Sequence, residues 1–359
     1  MAVSFYPHAR NVQWESSTPP QEISIFHASL PGYEPTPLVS LPELAQELGV
    51  AQVFAKDESS RLGLPAFKAL GASWAINKAL SMQAPGTQMT IVTATDGNHG
   101  RAIAKFTKLA GHKAKIFVPH GVHPDAIQAI RDEGAEVTVL NLPYDDVVVS
   151  AADAAQAKHH VLIQDTAWEG YEEIPGWIVQ GYETLFAEID AQLAEHNTAA
   201  PTVIAIPTGV GSLLQAALAH YRNPKASEVT AVVSVEPEAA ACIEPSLRAG
   251  KAVSVQTGQT VMSGLNCGTP SSLAWPLIQN GLDAAITISE EQDILAAHYL
   301  NDLGVKAGPC GASGMAGLRF ALTGDGSEAH RSHLCVTENS TLVFVVTEGS
   351  AANPLPPLN

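Results

Sequence analysis

A chain of 359 residues that is 46% hydrophobic and 15% charged has too much apolar content to be disordered, and its length suits one large domain or two packed ones. Its net charge of −17 disfavours nucleic acid or an anionic membrane as partner, yet leaves room for a small anion held by local dipoles. Four cysteines without CxxC spacing and thirteen histidines without an HxxxH or HExxH pair predict free thiols and no metal site. The first residues lack an apolar signal core and no apolar run reaches membrane-spanning length, so a cytoplasmic protein with no membrane contact is expected.

Residues 1–35 hold Pro7, Pro19, Pro20, Pro31 and Pro35, which predicts an irregular start. Helical spacing covers 41–48, with Gly49 as the stop, and AQVFAKDE (51–58) is a short strand. The stretch KDESSRLGLPAFKALGA (56–72) then sets Lys68 just inside a helix that runs over 69–82 and ends by Pro85 and Gly86. Among Leu64, Phe67, Leu70 and Ala72 this lysine has two readings. Its stem can lie on apolar surface with the ammonium in water. Alternatively, burial lowers its pKa and frees the amine for a Schiff base. The lysine alone favours the first, and the motifs further along bear on the second.

From residue 89 onward, strands and helices alternate. Strands fall at 89–95, 114–118, 136–140 and 161–164, with helices at 100–110, 124–133 and 145–158 between them. A long helix over 175–195 and the linker HNTAAP (196–201) follow. Alternation resumes with TVIAIPTG (202–209), a helix at 212–220, VTAVVSVEP (229–237), a helix near 239–249, ITISEEQ (286–292) leading into a helix, and TLVFVVTEG (341–349). The Gly-, Ser- and Thr-rich stretch 254–272 reads as an active-site or interface loop. This order predicts an α/β fold of two domains with mainly parallel sheets, in which right-handed crossovers bring the loops after the strands to one edge. The economical division is a small domain at 75–185 and a large one from 1–74 and 186–359, with the active site in the cleft between them.

Four stretches carry chemistry. In TATDGNHGRAIA (93–104), Gly97 and Gly100 permit a tight turn, Asn98 offers a donor and an acceptor, and Asp96 at a helix mouth is most simply a cap. In PTGVGSLLQAA (207–217), the amides of Gly209, Val210, Gly211, Ser212 and Leu213 can cradle a phosphate at a helix N-terminus. This turn is neither a P-loop nor a dinucleotide GxGxxG. In IQDTAWEGYEEIPGW (163–177), Asp165 sits on the expected functional edge, whereas Trp168, Tyr171, Trp177 and further along Tyr182 read as packing residues. At the end of the last strand, the Thr347 hydroxyl can meet a ligand ring nitrogen.

Together these stretches resemble the fold type II pyridoxal-phosphate (PLP) enzymes, the tryptophan-synthase-β-like group, and within it the diaminopropionate ammonia-lyases. The blocks KDESSRLGLPAFKALGA, TDGNHGR, PYDDVV, QDTAWEGYEEIPGWIVQGYETL, GVGSL, MSGLNCGTPS and STLVFVVTEG stand in that family's order over most of the chain. The resemblance implies PLP as cofactor, carried by the large domain, and elimination of 2,3-diaminopropionate to pyruvate and ammonia. It implies a Schiff base at Lys68, a cofactor hydroxyl contact at Asn98, a ring cover at Tyr144, phosphate binding by Gly209, Val210, Gly211, Ser212 and Leu213, and a pyridine-nitrogen contact at Thr347. A hydroxyl rather than a carboxylate at that nitrogen suits β-elimination over transamination. Asp96 and Asp165 become the candidates for acid, base and recognition of the substrate's β-ammonium, and a base on each ring face would admit both enantiomers. A homodimer is also implied.

Leu62 stands where that family usually has an aromatic, and the block holding Cys310 and the tail after Gly349 depart from it as well. Cys242 and Cys267 fall near positions where some relatives carry a cysteine pair; free thiols are expected here. A serine or threonine dehydratase shares Lys68, Asn98 and the glycine turn but has no need of two aspartates. A catalytically silent PLP-binding protein is a second alternative. A nicotinamide dehydrogenase is distant for want of GxGxxG.

Overall fold

The computed structural model describes residues 3–198, 200–224 and 229–358; residue 199 of the expected linker lies outside them. Its strands are β1 (Ser4–Pro7), β2 (Leu38–Ser40), β3 (Gln52–Asp57), β4 (Thr90–Ala94), β5 (Lys113–Pro119), β6 (Glu136–Leu140), β7 (His160–Leu162), β8 (Val203–Pro207), β9 (Ala231–Pro237), β10 (Ala284–Ile288) and β11 (Thr341–Val346). They form two sheets. One has the order β6-β5-β4-β7 and is parallel throughout. The other has the order β1-β10-β9-β8-β11-β3-β2, parallel inside, with antiparallel β1 and β2 at its edges. Strands β8, β9, β10 and β11 are buried at every position, which is why they read as unbroken apolar runs rather than alternating ones.

The chain divides into two compact units. The larger takes Met1–Pro20, Pro35–Ser60 and Glu183–Asn359; the smaller takes Gln21–Glu34 and Arg61–Tyr182. The smaller unit therefore begins its main run at Arg61 and not at residue 75, so Lys68 belongs to it. Packing explains the difference. A Cβ on Gly71 would come within 2.6 Å of the Tyr182 ring and 2.7 Å of Ile178, so the helix Lys68–Ser81 and the helix Glu173–Gly181 touch through a bare glycine backbone. The buried His27 ring also meets the Leu70 carbonyl at 3.0 Å, which brings the helix Glu22–Ala28 into the same unit.

Three elements depart from the sequence expectation. The proline-rich start still supplies β1, with Pro7 at the strand's last position, and a short helix beginning after Pro19 and Pro20. The long helix over 175–195 is two helices, Glu173–Gly181 and Glu183–Glu195, interrupted at Tyr182. A further helix, Pro309–Thr323, crosses the larger sheet. Its Gly314 and Gly317 lie against Phe344 of β11 and Val235 of β9, where a Cβ would meet carbon at 3.1 and 2.6 Å. Ala312, Met315 and Ala316 of this helix join Val203, Ala205, Ile286 and Phe344 in the core. All four cysteines are free thiols. Among the described residues, no helix is long and apolar enough to cross a membrane.

Candidate active site

In the smaller unit, β4 runs into the turn that starts the helix Asn98–Leu109. The turn is held by Thr95, whose Oγ1 accepts from the backbone N–H of Gly97 and of Gly100, both at 3.0 Å. Thr95 thus does the capping that the sequence suggested for Asp96, and Asp96 is left exposed. Packing requires glycine at position 100, since a Cβ there would lie 2.2 Å from Thr95 Cγ2. Parallel pairing of Val92 with Leu162 brings the end of β7 beside this turn, so Asp165 emerges next to Thr95 and Asp96.

Lys68 opens the helix Lys68–Ser81, after a turn in which Leu62 (φ 51°) and Gly63 (φ 72°) are left-handed. For a leucine this conformation is strained, and Lys105 Nζ holds it by donating to the Leu62 carbonyl at 2.8 Å. Lys68 Nζ donates to Asp165 Oδ2 at 2.8 Å. His99, buried at the first turn of its helix, donates from Nε2 to the Ile163 carbonyl at 2.9 Å, so in the neutral ring Nδ1 is unprotonated. That Nδ1 has no hydrogen-bond partner among the described residues and lies 3.8 Å from Asp165 Oδ2.

Electrostatics separates these groups. Burial alone would lower the Lys68 pKa, but the Asp165 carboxylate outweighs it, with smaller contributions from Tyr182 and Asp96, and the pKa stands well above that of a free lysine. This overturns the reading in which desolvation makes the amine acidic. Burial would raise Asp165, yet neighbouring His99 and Lys68 hold it well below the usual carboxylate range. Burial lowers the His99 pKa, against the pull of the Asp165 charge. Asp96 moves the other way: the protein crowded around it and the Asp165 charge raise its pKa, even though the residue as a whole is exposed. Two neighbouring carboxyls with opposed shifts are an acid and a base in waiting.

Tyr144, at the start of the helix Tyr144–Ala154, is half-exposed, and its hydroxyl accepts from Gln164 Nε2 at 3.1 Å. Asn98 is the first residue of its helix and is partly exposed.

In the larger unit, β8 leads into the glycine turn ahead of the helix Ser212–Tyr221. Gly211 has φ 97°, and its Cβ would come 2.8 Å from Ile278, so both backbone and space require glycine. A Cβ on Gly209 would lie 2.9 Å from Cys267 Sγ. The Val210 carbonyl accepts from Ser271 at 2.8 Å, which ties the turn to the 254–272 loop. Among the described residues, no backbone carbonyl accepts from the N–H of Gly209, Val210 or Gly211. Strand β11 lies beside β8 in parallel, with Phe344 opposite Ala205. Continuing that register sets Thr347 opposite Thr208, at the edge from which the glycine turn leaves. The Thr347 hydroxyl is buried and has no hydrogen-bond partner among the described residues.

Residues 30–345 match the family described as "Pyridoxal-phosphate dependent enzyme". A diaminopropionate ammonia-lyase of Salmonella typhimurium is 40% identical over 299 residues, which are 77% of this chain and 73% of that one. This chain belongs to the pyridoxal-phosphate dependent enzymes of the diaminopropionate ammonia-lyase family. Two crystal structures of the Escherichia coli member, at 32% identity, align over 97% of this chain and 94% of theirs. One, in complex with D-serine, gives a TM-score of 0.87, and the other, in complex with an aminoacrylate–PLP azomethine reaction intermediate, gives 0.84.

The residues present fit the family's cofactor. Three successive amides that, among the described residues, donate to no backbone carbonyl stand ahead of a helix and suit a phosphate, and the Thr347 hydroxyl suits a ring nitrogen. Within the smaller unit the structure brings Lys68, Asp165 and Asp96 together, and adds His99 and Gln164. Both lie inside the motifs recognised in the sequence, DGNHG and QDTAWEGY. His99 sits beside two chemically conspicuous residues, which was the available signal. Gln164 carried none, because its role depends on the pairing of β4 with β7.

Proposed function

We propose that this enzyme eliminates ammonia from 2,3-diaminopropionate, consuming one water and releasing pyruvate and two ammonia molecules, with PLP carried on Lys68. The names of the relatives support the substrate, and the ion pair of Lys68 with Asp165 beside a carboxyl of raised pKa is the observation that carries the chemistry. When bound, PLP supplies an electron sink for the carbanion left at the substrate's α carbon. Gly209, Val210, Gly211, Ser212 and Leu213 hold its phosphate, Thr347 meets its ring nitrogen, Asn98 meets its hydroxyl and Tyr144 covers the ring. Lys68 Nζ takes the proton from the substrate's α carbon. Asp165, held as a carboxylate, attracts the β-ammonium and orients it, and Asp96, whose pKa burial and the Asp165 charge raise, serves as the acid–base group beside it. Two carboxyls favour a doubly cationic substrate over a hydroxy-amino acid. A cytoplasmic homodimer completes the proposal, on the strength of the family resemblance.

D-serine in the Escherichia coli structure favours one second reading, a hydroxy-amino acid substrate. Ammonia and keto-acid release from D- and L-diaminopropionate, serine and threonine separates the two. Diaminopropionate is expected to turn over at least ~100-fold faster, the scale on which an unpaired buried charge discriminates. Asp96→Asn and Asp165→Asn should each lose activity on at least one isomer. Preference for serine or threonine, or full activity of both variants on both isomers, would remove the aspartates from the account.

A further inference from the structure

Gln164 is fully buried just beyond β7, and its side-chain amide meets Thr93, Ala94, Tyr144 and Asp165. Its Oε1 accepts from Ala94 N–H at 3.0 Å and from Thr93 Oγ1 at 2.9 Å. A backbone N–H only donates, so the Ala94 contact fixes which end of the amide is oxygen. Nε2 is then committed to the other side, where it donates to the Tyr144 hydroxyl at 3.1 Å and, more weakly, to Asp165 Oδ1 at 3.4 Å. The backbone N–H of Gln164 donates to Tyr171 Oη at 2.9 Å, and Tyr171 in turn donates to the Leu162 carbonyl at 2.9 Å. Tyr171 stacks on Trp168 across the short hairpin that follows Asp165, with ring centroids 4.3 Å apart.

We propose that Gln164 is the positioning residue of this site, an amide that sets the rotamers of Asp165 and Tyr144 together. Asp165 is gripped at both oxygens, Oδ1 by Gln164 and Oδ2 by Lys68. Rotation of its carboxylate is thereby blocked, and the oxygen that meets the amine is chosen. The Tyr144 hydroxyl accepts from Gln164, so its own proton points elsewhere. Through Ala94, the same amide ties both to β4, the strand that leads to Asp96. Gln164 touches no reacting atom in this account and acts through Asp165 and Tyr144. The proposal rests on the role assigned above to Asp165.

Gln164→Glu tests it. One carboxyl oxygen keeps the Ala94 and Thr93 contacts, and Tyr144 can reverse its hydrogen bond, so the fold is retained. The other oxygen faces Asp165 Oδ1 with no proton between them, and like charges so placed raise a carboxyl pKa. The titratable groups facing Asp165 are Lys68, His99, Asp96, Tyr171 and Tyr182. None of them is altered. In cofactor-free protein, the carbon-13 resonance of the Asp165 carboxyl is expected to titrate at higher pH than in the unsubstituted chain. In the holoenzyme, kcat should fall roughly tenfold or more with KM little changed, and the acidic limb of kcat/KM should move upward. If Q164E does not fold, Gln164→Asn keeps the amide but is too short to bridge, and the same kcat loss is expected. Unchanged Asp165 titration with unaltered kcat and pH profile would overturn the proposal, as would a loss of melting temperature alone. The cofactor-free titration is independent of substrate, so it stands even if diaminopropionate is not turned over.

Discussion

Asp293 is buried in the larger unit with neither carboxyl oxygen hydrogen-bonded, and burial, with Glu290 and Glu348 nearby, pushes its pKa well above the usual carboxylate range. The folded chain holds this proton more tightly than the unfolded one. Its contribution to stability is therefore complete below about pH 3.9 and is lost as pH rises toward the folded-state pKa. Asp293→Asn carries no charge and offers N–H groups to the neighbouring carboxyls. It should raise the melting temperature at pH 8 and flatten the fall in stability with pH; a lower melting temperature at pH 8 would count against this. At this scale the sequence exposed the residues whose type announces chemistry. Lys68, Asp96 and Asp165 were legible, and so was Thr347. The direction of the Lys68 shift was not, because it depends on whether burial or an ion pair wins, and that is decided by one carboxylate at 2.8 Å.

The helix ending at Tyr221 carries the glycine turn at its other end, and His220 straps it to the helix Glu183–Glu195. The ring is held at Nδ1 by Glu183 at 2.7 Å and at Nε2 by Asp190 at 2.8 Å. Burial would lower its pKa, but these two carboxylates push it up to about 9. The strap is at full strength below pH 6.5 and is lost as pH rises through about 9, with up to about 3 kcal/mol at stake. Thermal unfolding between pH 6 and 10 should show this decline, and His220→Gln should remove it; an unchanged decline in that variant would contradict the assignment. Element boundaries were less legible than element types. Helical periodicity ran straight through Tyr182, because only a partner reveals that Gly181 is pinned, with its absent Cβ 2.6 Å from the Leu70 carbonyl. The helix Pro309–Thr323 escaped notice for a related reason: its glycines read as loop residues, whereas they are the points where helix and sheet touch.

For the whole molecule, the βα alternation gave both parallel sheets their inner strands. The antiparallel edge β1 was hidden by prolines that an edge strand tolerates at its end. The fold family was legible because its motifs sit on strand-to-helix turns, where glycine and polar residues depart most sharply from the apolar background. The central claim is that Lys68 carries the cofactor. Borohydride reduction of the purified holoenzyme, followed by peptide mass mapping, tests it most directly. The account predicts the pyridoxyl mass on the peptide containing Lys68 and its loss in Lys68→Ala. A label on Lys56, Lys105 or any other lysine, or a label that survives Lys68→Ala, would contradict it.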